Sequence, residues 1–287
     1  MAMQQMLSLI FDGEVRKLNH AFNQVRSANA SAPLSGYVHL LEQGNAIFIT
    51  DERQSYLITI EFTLYFHLKT GDRLQARVAY NADCHNHVVC EILNVQHVTY
   101  DDAPVIKANQ SIDLCGRSIN LGTSILVPAT DNQDIATKIS KIHHALPEDM
   151  VSMLLSIDGR PTNFEISNAC FTKPNYTNRE KLMACLLTFF QAKQQADIGK
   201  NVVLIIDSLD KMFFVFNNCM QSVATIDPNL FSAAAVMDYE IILCCSGNLK
   251  AGGSLTLIGL HQAGTSPQLL QINDRLHQIM DQVIDFN

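Results

Sequence analysis

The sequence predicts an α/β protein that carries a small all-β domain, and three observations predict it. The first is the run Asn201-Val202-Val203-Leu204-Ile205-Ile206-Asp207-Ser208, apolar without interruption until an acid and a hydroxyl close it. Lacking period-2 alternation, it suits a strand buried on both faces, as in the middle of a parallel sheet covered by helices. The second is the alternation of such runs with helical stretches from about Ile112 onward, which implies right-handed crossovers and a mainly parallel sheet. The third is a group of five or six short strands between Gly36 and Tyr100, separated by turn signals. That density suggests a small closed barrel of the OB-fold type.

In order along the chain, Leu7, Ile10, Phe11, Val15, Leu18, Phe22 and Val25 recur at spacings of three and four, the mark of an amphipathic helix, or of two short ones broken near Asp12-Gly13, packed on a neighbour. The Ser27–Pro33 stretch reads as a linker. The barrel strands are Tyr37–Leu41, Ala46–Thr50, Tyr56–Phe62, Arg73–Val78, and the pair Val88–Leu93 and Val95–Tyr100. In the α/β part, Ser124–Pro128 and Met153–Asp158 read as buried strands, the second ending in an acid. Ile135–Leu146 and Arg179–Ala196 read as helices, Leu255–Leu260 as a further strand, and Leu269–Phe286 as one or two amphipathic pieces. The expected domains are a helical segment and linker over 1–33, the barrel over 34–104, and the α/β core over 105–287.

Composition narrows the function. A net charge of −8 over 287 residues argues against broad electrostatic attachment to nucleic acid, which depends on neutralising phosphates. No apolar run reaches the roughly 18 residues of a membrane span, and no basic n-region opens the chain, so neither a signal peptide nor a membrane partner is expected. Several of the eight cysteines, Cys115, Cys185, Cys244 and Cys245, fall within apolar runs. Reduced core thiols of a cytoplasmic protein are the expectation.

Cys84-His85-Asn86-His87-Val88-Val89-Cys90 offers four potential zinc ligands, but the spacing fits no familiar zinc module and alternation along a strand points ligands to opposite faces. A polar hairpin tip is the preferred reading and no metal is expected. His143 and His144 have no spacing to a nucleophile that makes a triad. Asn175-Tyr176-Thr177 matches a glycosylation acceptor only formally. Asp207 stands at the carboxyl edge of a parallel sheet, where open α/β folds bind ligands and where nucleotide hydrolases place a magnesium-holding carboxylate.

Several stretches, in order, resemble bacterial transcription termination factor Rho. They are Lys69-Thr70-Gly71-Asp72, Ile112-Asp113-Leu114, Ile157-Asp158-Gly159-Arg160-Pro161, Leu204-Ile205-Ile206-Asp207-Ser208 and Gly252-Gly253-Ser254-Leu255-Thr256-Leu257-Ile258. The resemblance spans about residues 36–275 and implies an OB-like barrel followed by a RecA-like, P-loop-type core. It also implies the activity of a hexameric RNA-dependent ATPase.

The chain departs from that pattern at the positions that carry the activity. Where the family's phosphate loop ends in Gly-Lys-Thr, this chain reads Asn132, Gln133 and Asp134, and no ammonium is expected to offset Asp131 and Asp134. At ~4 Å and an effective dielectric near 20, one like-charge contact costs about 4 kcal/mol, which weakens phosphate binding roughly several hundred-fold. The family's catalytic glutamate falls at Gly159, between Asp158 and Arg160, and the resemblance fades near Phe286, before any counterpart of the arginine finger. Neither ATP nor magnesium is therefore an expected cofactor, and no catalytic residue is assigned.

On the barrel, the family's base-stacking positions read Asn45 and Ile47, and a further pair reads His87 and Val89. Tyr56, Tyr65, Lys69, Arg73 and Arg77 are the candidates for a substitute surface, although such residues are more often a barrel's solvated face. Three functions follow, in order. The first is a pseudo-ATPase acting through protein contacts or self-association, and the second a single-stranded RNA module. The third is a divergent ATPase centred on Asp207.

Overall fold

Five strands close the barrel: β1 (Leu34–Leu40), β2 (Ala46–Thr50), β3 (Ser55–Ile58), β4 (Arg73–Asn81) and β5 (Asn86–Gln96). Their order around the wall is β1-β2-β3-β5-β4, with β4 returning to β1 and β3 meeting β5 in parallel. The interior is filled by Val38, Phe48, Ile58, Leu74, Val78 and Val89, the packed lumen expected of a small barrel. Beyond shifts at strand ends, two stretches differ in kind from the sequence reading. Tyr56–Phe62 is not one strand; β3 stops at Ile58 and a short helix α1 (Ile60–Tyr65) follows. The Asn45 side-chain oxygen accepts from the Ile60 N–H at 2.8 Å, so a residue from before β2 satisfies the new helix. The expected pair Val88–Leu93 and Val95–Tyr100 is, within the described residues, a single eleven-residue strand, β5. Register shifts between Gln75 and Ala76 and between Arg77 and Val78 let the β4–β5 ribbon bend, as closure requires.

This computed structural model describes residues 30–40, 44–81, 86–97, 110–159, 166–220, 236, 239–240, 242–249, 252–262 and 267–286. The expected helix over 7–27, residues 98–109, Cys84, His85 and Arg160 lie outside them. The chain divides into two units, residues 1–99 and 100–287.

The second unit opens with a hairpin, β6 (Ser111–Leu114) and β7 (Arg117–Asn120). It continues through β8 (Ser124–Ala129), α2 (Asn132–Ala145), β9 (Val151–Ser156), β10 (Ala169–Phe171), α3 (Asn178–Asp197), β11 (Asn201–Ile206) and α4 (Leu209–Met220). Last come β12 (Gly247–Asn248), β13 (Ser254–Gln262), α5 (Pro267–Ile279) and β14 (Gln282–Val283). The sheet order is β10-β9-β11-β13-β8-β14 with every neighbour parallel, and β12 pairs antiparallel with β13.

The strand β11 sits inside that sheet with Val202–Ile206 buried, which is why its sequence does not alternate. On one face Ile135, Ile139 and Ile142 of α2 meet Val127, Val203 and Ile205. The α3 helix begins in a capping box between Thr177 and Glu180, so the hydroxyl of the acceptor-like tripeptide is structural. Of the thiols expected in the core, Cys185 is buried, but Cys115 and Cys244 are exposed. Cys115 stands at the tight β6–β7 turn with φ 54°, out of the run its neighbours suggested. Among the described residues, no helix is long and apolar enough to cross a membrane.

Candidate functional site

Parallel pairing brings the carboxyl ends of β9, β11, β13 and β8 to one edge of the sheet, the edge where open α/β folds take ligands. At the β8 position, only Thr130 and Asp131 separate the strand from α2. Asp131 is extended and caps the helix; its Oδ1 accepts from the N–H groups of Gln133 and Asp134, both at 2.8 Å. Asp134 Oδ2 in turn accepts from the Thr130 N–H at 2.8 Å and from Thr130 Oγ1 at 3.2 Å. The Thr130 N–H holds the Asp134 carboxyl below its ordinary range. Helix N-terminal amides of this kind bind phosphates elsewhere. Here carboxylates of the chain itself take them, and the Thr130 carbonyl accepts from Gln262 Nε2 at 3.0 Å.

The expectation that no ammonium offsets these acids is corrected by Lys138, one turn further along α2. Its buried Nζ donates to Pro128 O at 2.7 Å and to Asp285 Oδ1 at 2.8 Å, and lies 3.3 Å from Asp134 Oδ2. Burial works against the ammonium, but Asp285 and Asp134 more than offset it and its pKa is raised. One cation thus faces Asp134 and Asp285, with Asp131 beside them, so the head of α2 keeps a negative balance. An incoming polyanion meets repulsion there.

Next along the edge, Asp207 turns inward. Its Oδ2 accepts from Ser156 Oγ at 2.6 Å and its Oδ1 from the Ile157 N–H at 2.9 Å, joining β11 to the end of β9. Burial pushes its carboxyl up to about 6, against the pull of those two hydrogen bonds. Ser208, the hydroxyl that closes the apolar run, accepts from the Lys211 N–H at the head of α4. Asp158 has a positive φ of 59° and pairs with Lys181 at 2.8 Å. A β-carbon on Gly159 would overlap Ser156 Oγ and approach Asp207 Oδ2 at 3.4 Å. The space that a glutamate side chain would start from is therefore filled by the Ser156–Asp207 contact.

The β13 position holds a group that sequence reading missed. Asp210 accepts from Gln262 N at 3.1 Å and pairs through Oδ1 with His261 Nδ1 at 2.6 Å. Together with Gln262 and Thr130 it forms a hydrogen-bonded path from α4 to the β8–α2 turn. Its partners lie 51 and 52 positions away, and no local spacing announces them.

On the barrel, the proposed surface separates into two sets. Asn45 and Ile47 are 1% and 0% exposed, so neither faces a base. Arg73 is bound by two contacts to Asp51, at 2.7 and 3.2 Å, and lies over the Tyr37 ring at 4.8 Å. Arg77 pairs with Glu91 at 3.3 Å, and the Tyr56 hydroxyl donates to Gln54. Tyr65 is 79% exposed, Lys69 and His87 are exposed, and the exposed Tyr80 ring stands edge-on to His87 at 5.4 Å. Among the described residues, no group of three or more His, Cys, Asp or Glu side chains is placed to hold a metal.

The stretches that carry the resemblance have structural work of their own. In Lys69-Thr70-Gly71-Asp72 the Asp72 carboxylate accepts from the Lys69 N–H at 2.7 Å, Thr70 Oγ1 from the Leu40 N–H, and Val38 O from the Gly71 N–H, closing the turn against β1. In Gly252-Gly253-Ser254 a side chain on Gly253 would strike the Ala196 and Lys200 carbonyls, and Ser254 N donates to Lys200 O at 3.1 Å.

The architecture so described joins a five-stranded, OB-like barrel to a parallel α/β core of RecA-like fold. An ATPase of a bacterial type III secretion system superposes on it with a TM-score of 0.56 at 19% identity, over 68% of this chain and 62% of that one. In sequence, transcription termination factor Rho of Streptosporangium roseum is 28% identical over 136 residues, 44% of this chain and 33% of that protein. The match thus spans about a third of the relative's length. No family model matches the chain.

Proposed function

We propose that this chain is a Rho-like pseudo-ATPase that binds rather than turns over, a regulatory protein acting through contacts with another protein or with itself and linked to transcription termination. The observation that carries the reading is the β8–α2 turn. Two residues leave no arc of amides long enough to surround phosphates, and Asp131 and Asp134 already take the amides that remain. Gly159, closed over by Ser156 and Asp207, supports the same reading. Cytoplasmic work alongside the transcription apparatus is the setting that the similarity to Rho suggests.

The test is thermal unfolding with and without Mg·ATP. A ligand at about 100 times its dissociation constant adds about 2.7 kcal/mol, so the expected result is no shift at millimolar nucleotide. A clear shift, with turnover that disappears in Asp207→Ala, would overturn the proposal in favour of a divergent ATPase.

The exposed set Tyr65, Lys69, Tyr80 and His87 favours a second reading, a single-stranded RNA module acting through the barrel. Stacking contributes about 1–3 kcal/mol per base. This reading expects RNA affinity that falls steeply with salt and drops in Tyr65→Ala; no binding at low salt would remove it.

A further inference from the structure

Two aspartates flank β14, and each fastens one end of β8. Before β14, Asp281 Oδ2 accepts from the Ser124 N–H at 2.8 Å and from Ser124 Oγ at 3.0 Å, while the Asp281 N–H donates back to Ser124 Oγ at 3.1 Å. After β14, Asp285 takes the Lys138 ammonium at 2.8 Å. An ammonium has three hydrogens, and Lys138 has three acceptors, Pro128 O, Asp285 and Asp134. A path of contacts therefore runs from the C-terminal segment through Lys138 and Asp134 to the Thr130 N–H.

We propose that residues 281–285 form a strap that holds the Thr130–Asp131 turn shut through Lys138. The Lys138 side chain is buried, so it cannot turn to water when an acceptor is lost; a shortfall is transmitted to the turn. From the other side, Gln262 holds the Thr130 carbonyl and Asp210 holds Gln262, so the turn is gripped at both of its backbone groups. Release of the strap is then the step that opens the head of α2, and a partner that captures the C-terminal segment would act on the crevice from a distance.

The experiment is residue-resolved amide exchange on the full chain and on two single variants, Asp285→Ala and Asp281→Ala, each of which removes the accepting oxygens. Asp285→Ala is expected to speed exchange at Thr130 and Asp134 by roughly two- to fivefold, the range for a partly exposed ion pair, with the amides of β11 unchanged. Asp281→Ala is expected to speed exchange at Ser124 and leave Thr130 slow. The proposal fails if Asp285→Ala leaves Thr130 unchanged, or if both variants speed the whole sheet equally, which is global loosening. If Mg·ATP alters these rates in the unaltered chain while Asp285→Ala still frees Thr130, the strap stands and the expectation that no nucleotide binds falls.

Discussion

The barrel and the core each bury a titratable side chain, and acid acts on the two in opposite directions. His39 in β1 is 1% exposed, and burial pulls its imidazole down to about 3. Asp207 at the end of β11 is 6% exposed, and burial pushes its carboxyl up to about 6. The cause is the same desolvation of a charged form, but one group is charged when protonated and the other when not. Folded His39 stays neutral while the unfolded chain gains a proton below pH 6.5, so the barrel loses stability as pH falls from 6.5 towards 3. Folded Asp207 takes up its proton below about 6 while the unfolded carboxyl waits until 3.8, so the core gains stability as pH falls across that window.

The largest expected effect is therefore in the barrel. Between pH 7 and 4 it should lose about 3 kcal/mol through His39, at 1.36 kcal/mol per pKa unit. Amide exchange in β2, followed across that range, reads the loss, and His39→Met should flatten the slope whatever it does to the baseline. An unchanged slope in that variant would mean that another group governs the barrel. The core supplies the contrast. Over the same range β11 amides should report a gain of about 2 kcal/mol that is absent in Asp207→Asn. A core that weakens in acid as the barrel does would end the comparison.

A third effect is smaller and lies in the core. Asp131→Ala removes the oxygen that accepts from Gln133 and Asp134 and should cost about 1 kcal/mol in urea unfolding; Asp131→Ser, which can still cap, should recover most of it. Equal losses in the two variants would show that the carboxylate acts through its charge rather than through its cap.

What the sequence revealed and what it hid differ by range. The β11 strand was legible because both of its faces are buried, which suppresses alternation over the whole of Val202–Ile206. The crossover pattern was legible for the same reason. The end of β3 was not, because the helix after it depends on Asn45, 15 positions earlier. Nor was the role of Lys138, whose partner Asp285 lies 147 positions away. Asp131 was read as a charge set against phosphate, but its geometry is that of a helix cap, which Asp favours at that place in any helix. The barrel candidates failed to separate for a related reason: Arg73 and Tyr65 look alike as exposed-type residues until the fold gives Asp51 to one and leaves the other largely open to solvent.

Arg73 gives the smallest and most discriminating test. Its side chain is 30% exposed and that of Asp51 is 32% exposed, so water screens the pair and its contribution is modest. Arg73→Lys keeps the charge but removes the two-pronged contact and the stacking over Tyr37 that only a planar guanidinium provides; a loss of about 0.5 kcal/mol in barrel stability is expected. If Arg73 serves the fold, any RNA affinity of the barrel stays the same in Arg73→Lys and in Arg73→Met, and so does its salt dependence. If Arg73 faces phosphate, Arg73→Met lowers the salt slope by about one ion while Arg73→Lys does not. The pair of variants thus decides whether Arg73 serves the barrel's own fold or a ligand outside it.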